Sequence, residues 1–357
     1  MDARYSRQLA LPGFGAPAQS LLATARVLVI GAGGLGSTVI PALAGAGVGT
    51  LTIVDDDTVE LSNLHRQHVH AVSDIGRGKA VSAAEFVTRL NPQTTVHTLL
   101  ERLTSDNALA LFCAADIVID GSDNFATRYL ANDAAVLAGI PLVWGAVSQY
   151  GGQVGVAWAD RGPHYRDLFP TPPPPGSVLS CEAGGVLPTV VSTIGSIMAS
   201  EAIKILAGVG DPLVGRVIVM DALAGSFREL AYERDPLGEP VTELIDYELL
   251  CGVAPSSGDI TPAELLVRLD DVLLLDVREP WEFAIASLPG AVLVPLGTLE
   301  AAVAGLPTDR PVVVYCHHGI RSANARDTLL AHGINAASLT GGIDAWSREI
   351  DPEIPRY

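Results

Sequence analysis

Cysteine is scarce in this sequence. Its four thiols, at Cys113, Cys181, Cys251 and Cys316, stand 68, 70 and 65 residues apart. Such spacing leaves no CxxC pair, so the pattern excludes a small disulfide-stapled scaffold and a clustered set of cysteine metal ligands. Widely spaced thiols are typical of a reducing compartment, and they favour a cytoplasmic protein in which Cys113 and Cys251 serve as packing residues.

Positive charge is also in short supply, since 22 basic residues face 40 acidic ones and the formal net charge is −18. Such a surface repels nucleic-acid phosphates and anionic lipid headgroups, so neither is a predicted partner. The two long uncharged runs, 27–54 and 134–159, are broken by glycine and proline, which argues against membrane spans. Only 17% of residues are charged and 48% are hydrophobic, a composition typical of α/β proteins with buried parallel strands.

The chain length and its local patterns predict two α/β domains. At 100 to 200 residues per domain, roughly, 357 residues make two. Apolar runs at 26–30 and 50–54 enclose a glycine-rich turn and a small-residue helix, and further strands and helices alternate after them, which predicts a doubly wound sheet with right-handed crossovers. A small-polar stretch near 254–258 precedes a new α/β pattern. We therefore predict domains at 1–235 and 259–357, joined by a linker at 236–258.

A glycine-rich loop follows the first strand and reads Gly31-x-Gly33-Gly34-x-Gly36. Its backbone N–H groups and the helix that begins there are suited to phosphate binding. Asp55 ends the second strand and is suited to the hydroxyls of a ribose. NAD, FAD and ATP enzymes all use this arrangement, so the loop alone leaves the nucleotide open.

The residues after Asp55 favour a triphosphate. Arg66 and Lys79 supply cations that balance a leaving pyrophosphate, and Asp123 supplies a carboxylate for a divalent metal such as Mg²⁺. Hydride transfer needs none of these groups. An NAD-linked dehydrogenase with an appended thiol domain and a non-enzymatic carrier-binding scaffold remain as alternatives.

Several motifs together resemble the E1-like adenylating family of MoeB and ThiF over residues 1–235. They are Arg4-Tyr-Ser-Arg7-Gln8, the glycine loop, Val54-Asp55-x-Asp57, Leu61-Ser-Asn63-Leu-x-Arg66-Gln67, Lys79, Asp120-x-x-Asp123-Asn124 and Cys181-x-x-Gly184-Gly185. The resemblance implies a homodimer that holds ATP with Gly33, Asp55, Arg66, Lys79 and Asp123, while Arg7 reaches the site from the other subunit. Asn63, Gln67 and Asn124 lie in the same motifs. The implied reaction is adenylation of the C-terminal glycine of a ubiquitin-like sulfur carrier protein.

The first domain lacks the cysteines with which a structural zinc would be bound. Family members often hold a structural zinc with two CxxC pairs, but the matching positions here read His164-Tyr-Arg-Asp167 and 235–240, without cysteine, so no zinc site is expected.

Cys181 precedes a Gly-Gly turn into an apolar helix, and the family places the E1-type nucleophile at this position. We therefore expect Cys181 to take part in a covalent acyl intermediate.

A second thiol follows a strand at 312–315 and begins the loop Cys316-His317-His318-Gly319-x-Arg321. Successive N–H groups and the following helix are expected to stabilise a thiolate or a persulfide on Cys316, with Arg321 adding positive charge. The spacing is one residue shorter than the C-x₅-R phosphatase loop, which favours sulfur transfer over phosphatase chemistry. We expect adjacent His317 and His318 to diverge and to bind no metal, since no third ligand is evident.

The second domain resembles a rhodanese over 259–350, on the Cys316 loop, Leu275-Asp276-Val277-Arg278-Glu279 and Thr340-Gly-Gly-Ile-Asp344-Ala-Trp346. The fusion resembles MoeZ-like proteins of the actinobacterial type. It implies that a Cys316 persulfide, loaded from thiosulfate or a cysteine desulfurase, converts the adenylated Gly-Gly terminus of the carrier into a thiocarboxylate. The carrier and its pathway stay open among molybdopterin, thiamin, cysteine and secondary-metabolite sulfur supply.

Overall fold

The structure is a computed structural model that describes residues 3–173, 184–251, 259–306 and 310–356. The chain divides into two compact units. The first contains the described residues up to Pro172 and from 184 to Leu250, and the second contains those after Leu250. Mixed α/β structure in both units confirms the predicted fold class.

Helices and strands alternate through the first unit. Its helices are α1 Ser6–Leu9, α2 Gly15–Thr24, α3 Gly34–Ala46, α4 Lys79–Leu90, α5 Ala108–Cys113, α6 Phe125–Ala138, α7 Tyr165–Leu168, α8 Pro188–Ala207 and α9 Tyr247–Leu250. Its strands are β1 Arg26–Ile30, β2 Thr50–Val54, β3 Thr95–Leu99, β4 Ile117–Asp120, β5 Leu142–Ser148, β6 Gly151–Ala157, β7 Arg216–Asp221 and β8 Ser226–Ala231.

The eight strands form one sheet in the order β3-β2-β1-β4-β5-β6-β7-β8. The first five are parallel, and the last three join as antiparallel neighbours. The central strand β1 carries four consecutive buried residues, Val27 to Ile30. Such a run is typical of a parallel strand that is covered on both faces, and it accounts for the uncharged stretch seen in the sequence.

Close backbone packing fixes the turn between β1 and α3. Gly31 has φ +87°, and a Cβ placed on Gly36 would lie 2.1 Å from the Gly31 carbonyl oxygen. A Cβ on Gly31 would in turn lie 3.2 Å from the carbonyl oxygen of Gly121, which follows β4. Only glycine therefore allows the loop, the start of α3 and the end of β4 to approach this closely.

One helix, α8, is long and apolar enough to cross a membrane by length and composition. Half of the residues in its most apolar stretch are buried, and residues such as Val191, Ile194 and Met198 belong to the hydrophobic core of the first unit. The hydrophobicity of α8 thus matches that of a core helix.

Two features of the first unit differ from the sequence expectations. Residues up to Leu250 group with the first unit, although the predicted linker begins at 236. Tyr247 accounts for this, because it is buried and its hydroxyl donates a 2.7 Å hydrogen bond to the Asp133 carboxylate. Cys113, expected to be a packing residue, is exposed at the end of α5, whereas Cys251 is buried.

The second unit is a smaller α/β structure. Its four parallel strands, in the order β10-β9-β11-β12, are β9 Leu273–Asp276, β10 Val292–Leu293, β11 Val312–Tyr315 and β12 Ala336–Ser338. Its helices are α10 Pro262–Leu266, α11 Pro280–Ile285, α12 Leu296–Ala302, α13 Ile320–Ala331 and α14 Gly342–Glu349. The predicted start of α10 is confirmed, since Thr261 caps it and Glu264 completes a capping box.

We predict that Gly36→Ala destabilises the first unit by about 1–3 kcal/mol, because the new methyl group meets backbone that has no room to move. The matched change in the same helix is Gly45→Ala, whose Cβ would meet nothing within 4 Å. That variant should be as stable as the wild type or gain up to about 1 kcal/mol from the better helix propensity of alanine. Urea unfolding of the first unit measures both, and equal stability of the two variants would contradict the packing argument.

Candidate functional site

The predicted nucleotide residues gather at the carboxyl ends of β1, β2 and β4. The order β3-β2-β1-β4 means that the chain crosses to opposite sides of the sheet after β1 and β4. Ligands of doubly wound sheets bind at such a switch point. The glycine loop follows β1, Asp55 follows β2, and Asp123 lies in the turn after β4.

Ala32 is the fixed point of the glycine loop. Its backbone N–H donates a 2.7 Å hydrogen bond to Oδ2 of Asp55, and its carbonyl oxygen lies 3.0 Å from Nε2 of His70. Asp55 also accepts a hydrogen bond from the backbone N–H of Asp57. Burial raises the pKa of the Asp55 carboxyl above its usual value, although the nearby Lys79 and these hydrogen bonds act in the opposite direction.

Lys79 begins α4 and is buried, with its Nζ 2.7 Å from an Asp57 carboxylate oxygen. Burial by itself would lower the pKa of this ammonium group. The carboxylates of Asp57, Asp55 and Asp123 outweigh it, so the pKa of Lys79 is raised and the side chain carries a positive charge. The negative charges of these three carboxylates therefore stabilise the positive charge of Lys79 at this edge of the sheet.

Arg66 and Gln67 lie against the glycine loop. The ideal Cβ position of Gly34 is 3.8 Å from Cγ of Arg66, and that of Gly33 is 3.7 Å from Nε2 of Gln67. Gln67 is buried, and its Oε1 accepts no hydrogen bond from the described residues. A buried carbonyl oxygen of this kind requires a donor, which a bound ligand can supply. The guanidinium of Arg66 contacts the Ser62 carbonyl oxygen at 3.1 Å.

The two asparagines shape the backbone around the site. Asn63 is buried, and its Oδ1 accepts from the N–H of Glu60 while its carbonyl oxygen accepts from the N–H of Arg66. Asn124 caps α6 by accepting a 2.8 Å hydrogen bond from Thr127. Arg7 is exposed on α1. Its expected reach into another subunit stays a prediction.

Two residues that the sequence reasoning missed hold these segments in place. His70 is buried between the Ala32 carbonyl oxygen and the Ser82 hydroxyl, 3.0 and 2.9 Å away. Burial lowers the pKa of this imidazole, so it is neutral near pH 7. Arg128, also buried, pairs with Asp120 and donates to the Ser122 carbonyl oxygen, which fixes the turn that presents Asp123. His70 could have been noticed in the sequence, because it lies three residues after Gln67.

The segments 164–167 and 235–240, where the family resemblance implies zinc ligands and this sequence has no cysteine, meet through a hydrogen bond. The Asp167 carboxylate accepts from the backbone N–H of His164 at 2.7 Å and from that of Asp235 at 2.9 Å. Arg234 donates to the carbonyl oxygens of Ala159 and Gly162. Hydrogen bonds thus join the two stretches of chain in which the resemblance implies CxxC pairs and this sequence lacks them. Cys181, which was expected to take part in a covalent acyl intermediate, lies outside the described residues.

In the second unit, Cys316 lies at the carboxyl end of β11 and is buried. The backbone N–H of Gly319 donates to its Sγ at 3.1 Å, and the Ser322 hydroxyl lies 3.6 Å from the same atom. Gly319 has φ +99°, which allows the chain to fold back over the sulfur before α13 begins. The N–H donor and the positive end of α13 stabilise negative charge on this sulfur.

Arg321, which was expected to add positive charge to the thiol loop, pairs with a buried carboxylate. Its two terminal nitrogens each lie 2.6 Å from a carboxylate oxygen of Glu282, which is buried on α11. Although burial alone would raise the pKa of Glu282, the hydrogen bonds from Arg321 and from the Glu279 N–H hold it below its usual value. The charge of Arg321 is therefore balanced by Glu282 and anchors the thiol loop to α11.

The expected divergence of the two adjacent histidines was wrong. Their rings are stacked, with centroids 4.1 Å apart and planes inclined by 13°. The loop curls around Gly319, so His317 and His318 face the same way, and the carboxylate of Asp344 joins them. A third possible ligand therefore exists, although nothing in the local sequence indicates it.

A doubly wound sheet with a glycine loop at its switch point, followed by a parallel α/β unit with a thiol at a strand end, defines a nucleotide-binding domain fused to a sulfurtransferase-type domain. The ThiF family profile matches residues 5–239, and the rhodanese-like domain profile matches residues 261–349. The chain belongs to the ThiF family and carries a rhodanese-like domain.

Two curated relatives match nearly the whole chain, and a third matches 70% of it. The probable adenylyltransferase/sulfurtransferase MoeZ of Mycobacterium tuberculosis is 46% identical, over 99% of this chain and 95% of its own. Adenylyltransferase and sulfurtransferase MOCS3 of Drosophila ananassae is 40% identical over 99% and 85%. The sulfur carrier protein adenylyltransferase of Thermus thermophilus is 48% identical over 70% and 96%. Among solved structures, E. coli MccB has a TM-score of 0.59 at 20% identity, over 68% of this chain and 74% of its own, and shares the fold.

We predict that His70 makes the stability of the first unit depend on pH. The pKa of His70 is below the ordinary 6.5, so the unfolded chain takes up a proton that the folded chain resists. The free energy of unfolding therefore falls as the pH drops below about 6.5, by about 1.4 kcal/mol for each unit of pKa lowering. In His70→Asn that part of the pH dependence should be missing.

Urea unfolding between pH 7.5 and pH 5, roughly the range in which imidazoles titrate, tests this prediction. His68→Asn is the control, since His68 is exposed on the same segment, and it should keep the wild-type pH dependence. If His70→Asn loses stability on acidification as steeply as the wild type, His70 does not hold the loop as a neutral imidazole.

Proposed function

We propose that this chain, an adenylyltransferase and sulfurtransferase by its family, activates the C-terminal glycine of a ubiquitin-like sulfur carrier protein with ATP and then converts it into a thiocarboxylate. The observation that carries the first activity is the convergence of the Ala32 loop, Asp55, Lys79 and Arg66 at one sheet edge. Cations at that edge serve no purpose in hydride transfer. The NAD-linked dehydrogenase and the non-enzymatic scaffold are accordingly not favoured.

In the proposed adenylation, the ribose of ATP binds Asp55 and the phosphates lie along the amides of the loop at Gly33 and Gly34. The carrier carboxylate attacks the α-phosphorus, and the bond from that phosphorus to the bridging oxygen breaks. Arg66 and Lys79 stabilise the negative charge that develops on the leaving pyrophosphate. Asp123 is the residue that would hold Mg²⁺, which shields the charge of the triphosphate.

The sulfur step uses the second unit. The terminal sulfur of a Cys316 persulfide attacks the acyl carbon, AMP leaves, and an acyl disulfide links the carrier to Cys316. Cys181 then attacks Sγ of Cys316, which releases the carrier thiocarboxylate and leaves a disulfide between the two cysteines. A thiol reductant must then reduce that disulfide to two thiols before the next cycle. The hydrogen bond from Gly319 N–H to Sγ stabilises the sulfur as it gains negative charge.

The remaining parts of the proposal concern partners and place. The M. tuberculosis relative is named an adenylyltransferase/sulfurtransferase and the T. thermophilus relative a sulfur carrier protein adenylyltransferase, which supports a sulfur carrier protein as substrate. We propose that the sulfur comes from thiosulfate or a cysteine desulfurase, that the chain acts as a homodimer with Arg7 reaching the other subunit, and that it works in the cytoplasm. Widely spaced thiols support that last point.

Carrier-dependent exchange between ATP and labelled pyrophosphate tests the adenylation directly. Wild-type chain with a Gly-Gly carrier should show exchange, and Arg66→Ala should lower the rate at least 100-fold, because it removes a cation from the leaving group. Arg89→Ala is the matched control. Arg89 lies beside the ring of Phe86 on α4 and should tolerate the change.

No exchange in the wild type with any Gly-Gly carrier tested would falsify the adenylation. Exchange that is equal in Arg66→Ala and Arg89→Ala would remove Arg66 from the site while leaving the activity itself in place.

A further inference from the structure

The loop that carries Cys316 brings three metal-ligating side chains together. The ligand atoms of His317, His318 and Asp344 all lie within 4.8 Å of one another, and Nδ1 of His318 lies 3.7 Å from Oδ2 of Asp344. We propose that these three side chains bind one divalent transition-metal ion, of the class of Zn²⁺, next to Cys316. These three residues belong to the second unit, whereas Asp123 and the other predicted nucleotide residues belong to the first.

The spacing of the ligand atoms suits such an ion. Around a tetrahedral Zn²⁺, with bonds of about 2.0–2.2 Å, neighbouring ligand atoms lie roughly 3.4 Å apart. The separation of 3.7 Å between His318 and Asp344 is already close to that value. The stacked rings must open so that both nitrogen lone pairs point at the ion. His318 is able to rotate, because 40% of its side-chain surface is exposed.

The backbone holds the two ligand segments together before any ion binds. The N–H of Ile343 donates to the Cys316 carbonyl oxygen at 2.9 Å, and the N–H of Asp344 donates to the His317 carbonyl oxygen at 3.1 Å. A Cβ on Gly342 would lie 2.3 Å from the His317 carbonyl oxygen, so glycine is required for this contact. Little reorganisation of the main chain is therefore needed for binding.

Two arginines contact Asp344, and they leave the site usable. Arg356 holds Oδ1 at 2.9 Å, whereas Arg348 contacts Oδ2, the oxygen that faces His318, at 2.6 Å. The Asp344 side chain is only 7% exposed, but the Arg348 side chain is 54% exposed and can turn into water when another cation takes its place. An ion at Oδ2 displaces Arg348 into solvent, while Arg356 continues to orient the carboxylate as an outer partner.

The ligand types select the class of ion. Two imidazoles and one carboxylate favour Zn²⁺, Co²⁺, Ni²⁺ or Cu²⁺ over Mg²⁺ and Ca²⁺, which prefer oxygen ligands. Three protein ligands leave a fourth position for water or another group. Since His317 follows Cys316 directly, an ion at this site lies on the loop that presents the thiol, and we expect it to slow reactions of Cys316.

Titration of the full-length protein with Co²⁺ and with Zn²⁺, after chelator treatment, tests the site without reference to the proposed function. Wild type should bind one equivalent of Co²⁺ with the visible absorption of a tetrahedral ion. His318→Ala and Asp344→Asn should each weaken binding more than tenfold in calorimetry with Zn²⁺. His332→Ala is the control, because His332 is an exposed histidine of the same unit that faces a single carboxylate, Glu300.

Binding to His318→Ala and Asp344→Asn with wild-type affinity would overturn the proposal. So would a titration in which Cys316→Ser removes binding and the histidine variant does not, since the ion would then belong to the thiol alone. Circular dichroism checks that each variant is folded. If Asp344→Asn fails to fold, His318→Ala, which changes a partly exposed side chain, decides the question.

Discussion

The nucleotide site depends on how the backbone is held at Ala32. Asp55 accepts the N–H of this residue and His70 contacts its carbonyl oxygen, so the loop is fixed from both sides. Gly31 and Gly36 allow the loop to pass close to the start of α3. With Ala32 fixed, the amides at the N-terminus of α3 point at the space where a phosphate would lie, and Arg66 and Lys79 border the same edge. Displacement of Ala32 would therefore disturb Asp55 and the loop amides that are predicted to bind ATP.

The second unit applies the same construction to a thiol. A parallel strand ends at Tyr315, a loop that starts with Cys316 and contains one left-handed glycine follows, and a helix begins immediately after that glycine. In the first unit the loop amides are predicted to face a phosphate, whereas here the N–H of Gly319 contacts the chain's own sulfur. Glu282 and Arg321 fasten this loop to a neighbouring helix. Both units thus stabilise negative charge with backbone amides at a helix N-terminus.

Much of this architecture could be predicted from the sequence, because buried parallel strands such as β1 and β4 appear as continuous apolar runs. The edge strand β8 gave no such signal, since five of its six residues are exposed. Family, fold class and the rhodanese-like domain were confirmed by the comparisons. The nucleotide-binding and catalytic roles of individual residues stay predictions.

Features that depend on distant contacts were missed for a physical reason. His70 contacts Ala32, Arg321 contacts Glu282 and Asp344 approaches His318, and each pair is separated by 26 to 39 positions along the chain. Periodicity and short motifs report only on neighbours in sequence, so no local pattern shows which charge balances another. The stacked histidines show the same limit at short range, because the curl of the loop and not the adjacency of the residues sets their direction.

If both units act on one carrier, intact-mass spectrometry of that carrier will show the product of their joint action. A Gly-Gly carrier incubated with the chain, ATP, Mg²⁺ and thiosulfate should gain the mass that corresponds to replacement of one oxygen by sulfur. Cys316→Ala should give no such product while keeping pyrophosphate exchange, and Cys113→Ala, which changes the exposed cysteine of the first unit, should behave as wild type. Equal formation of thiocarboxylate by Cys316→Ala and the wild type would show that Cys316 does not supply the sulfur. An unchanged carrier mass with the wild type would show that the two units do not act together on this carrier.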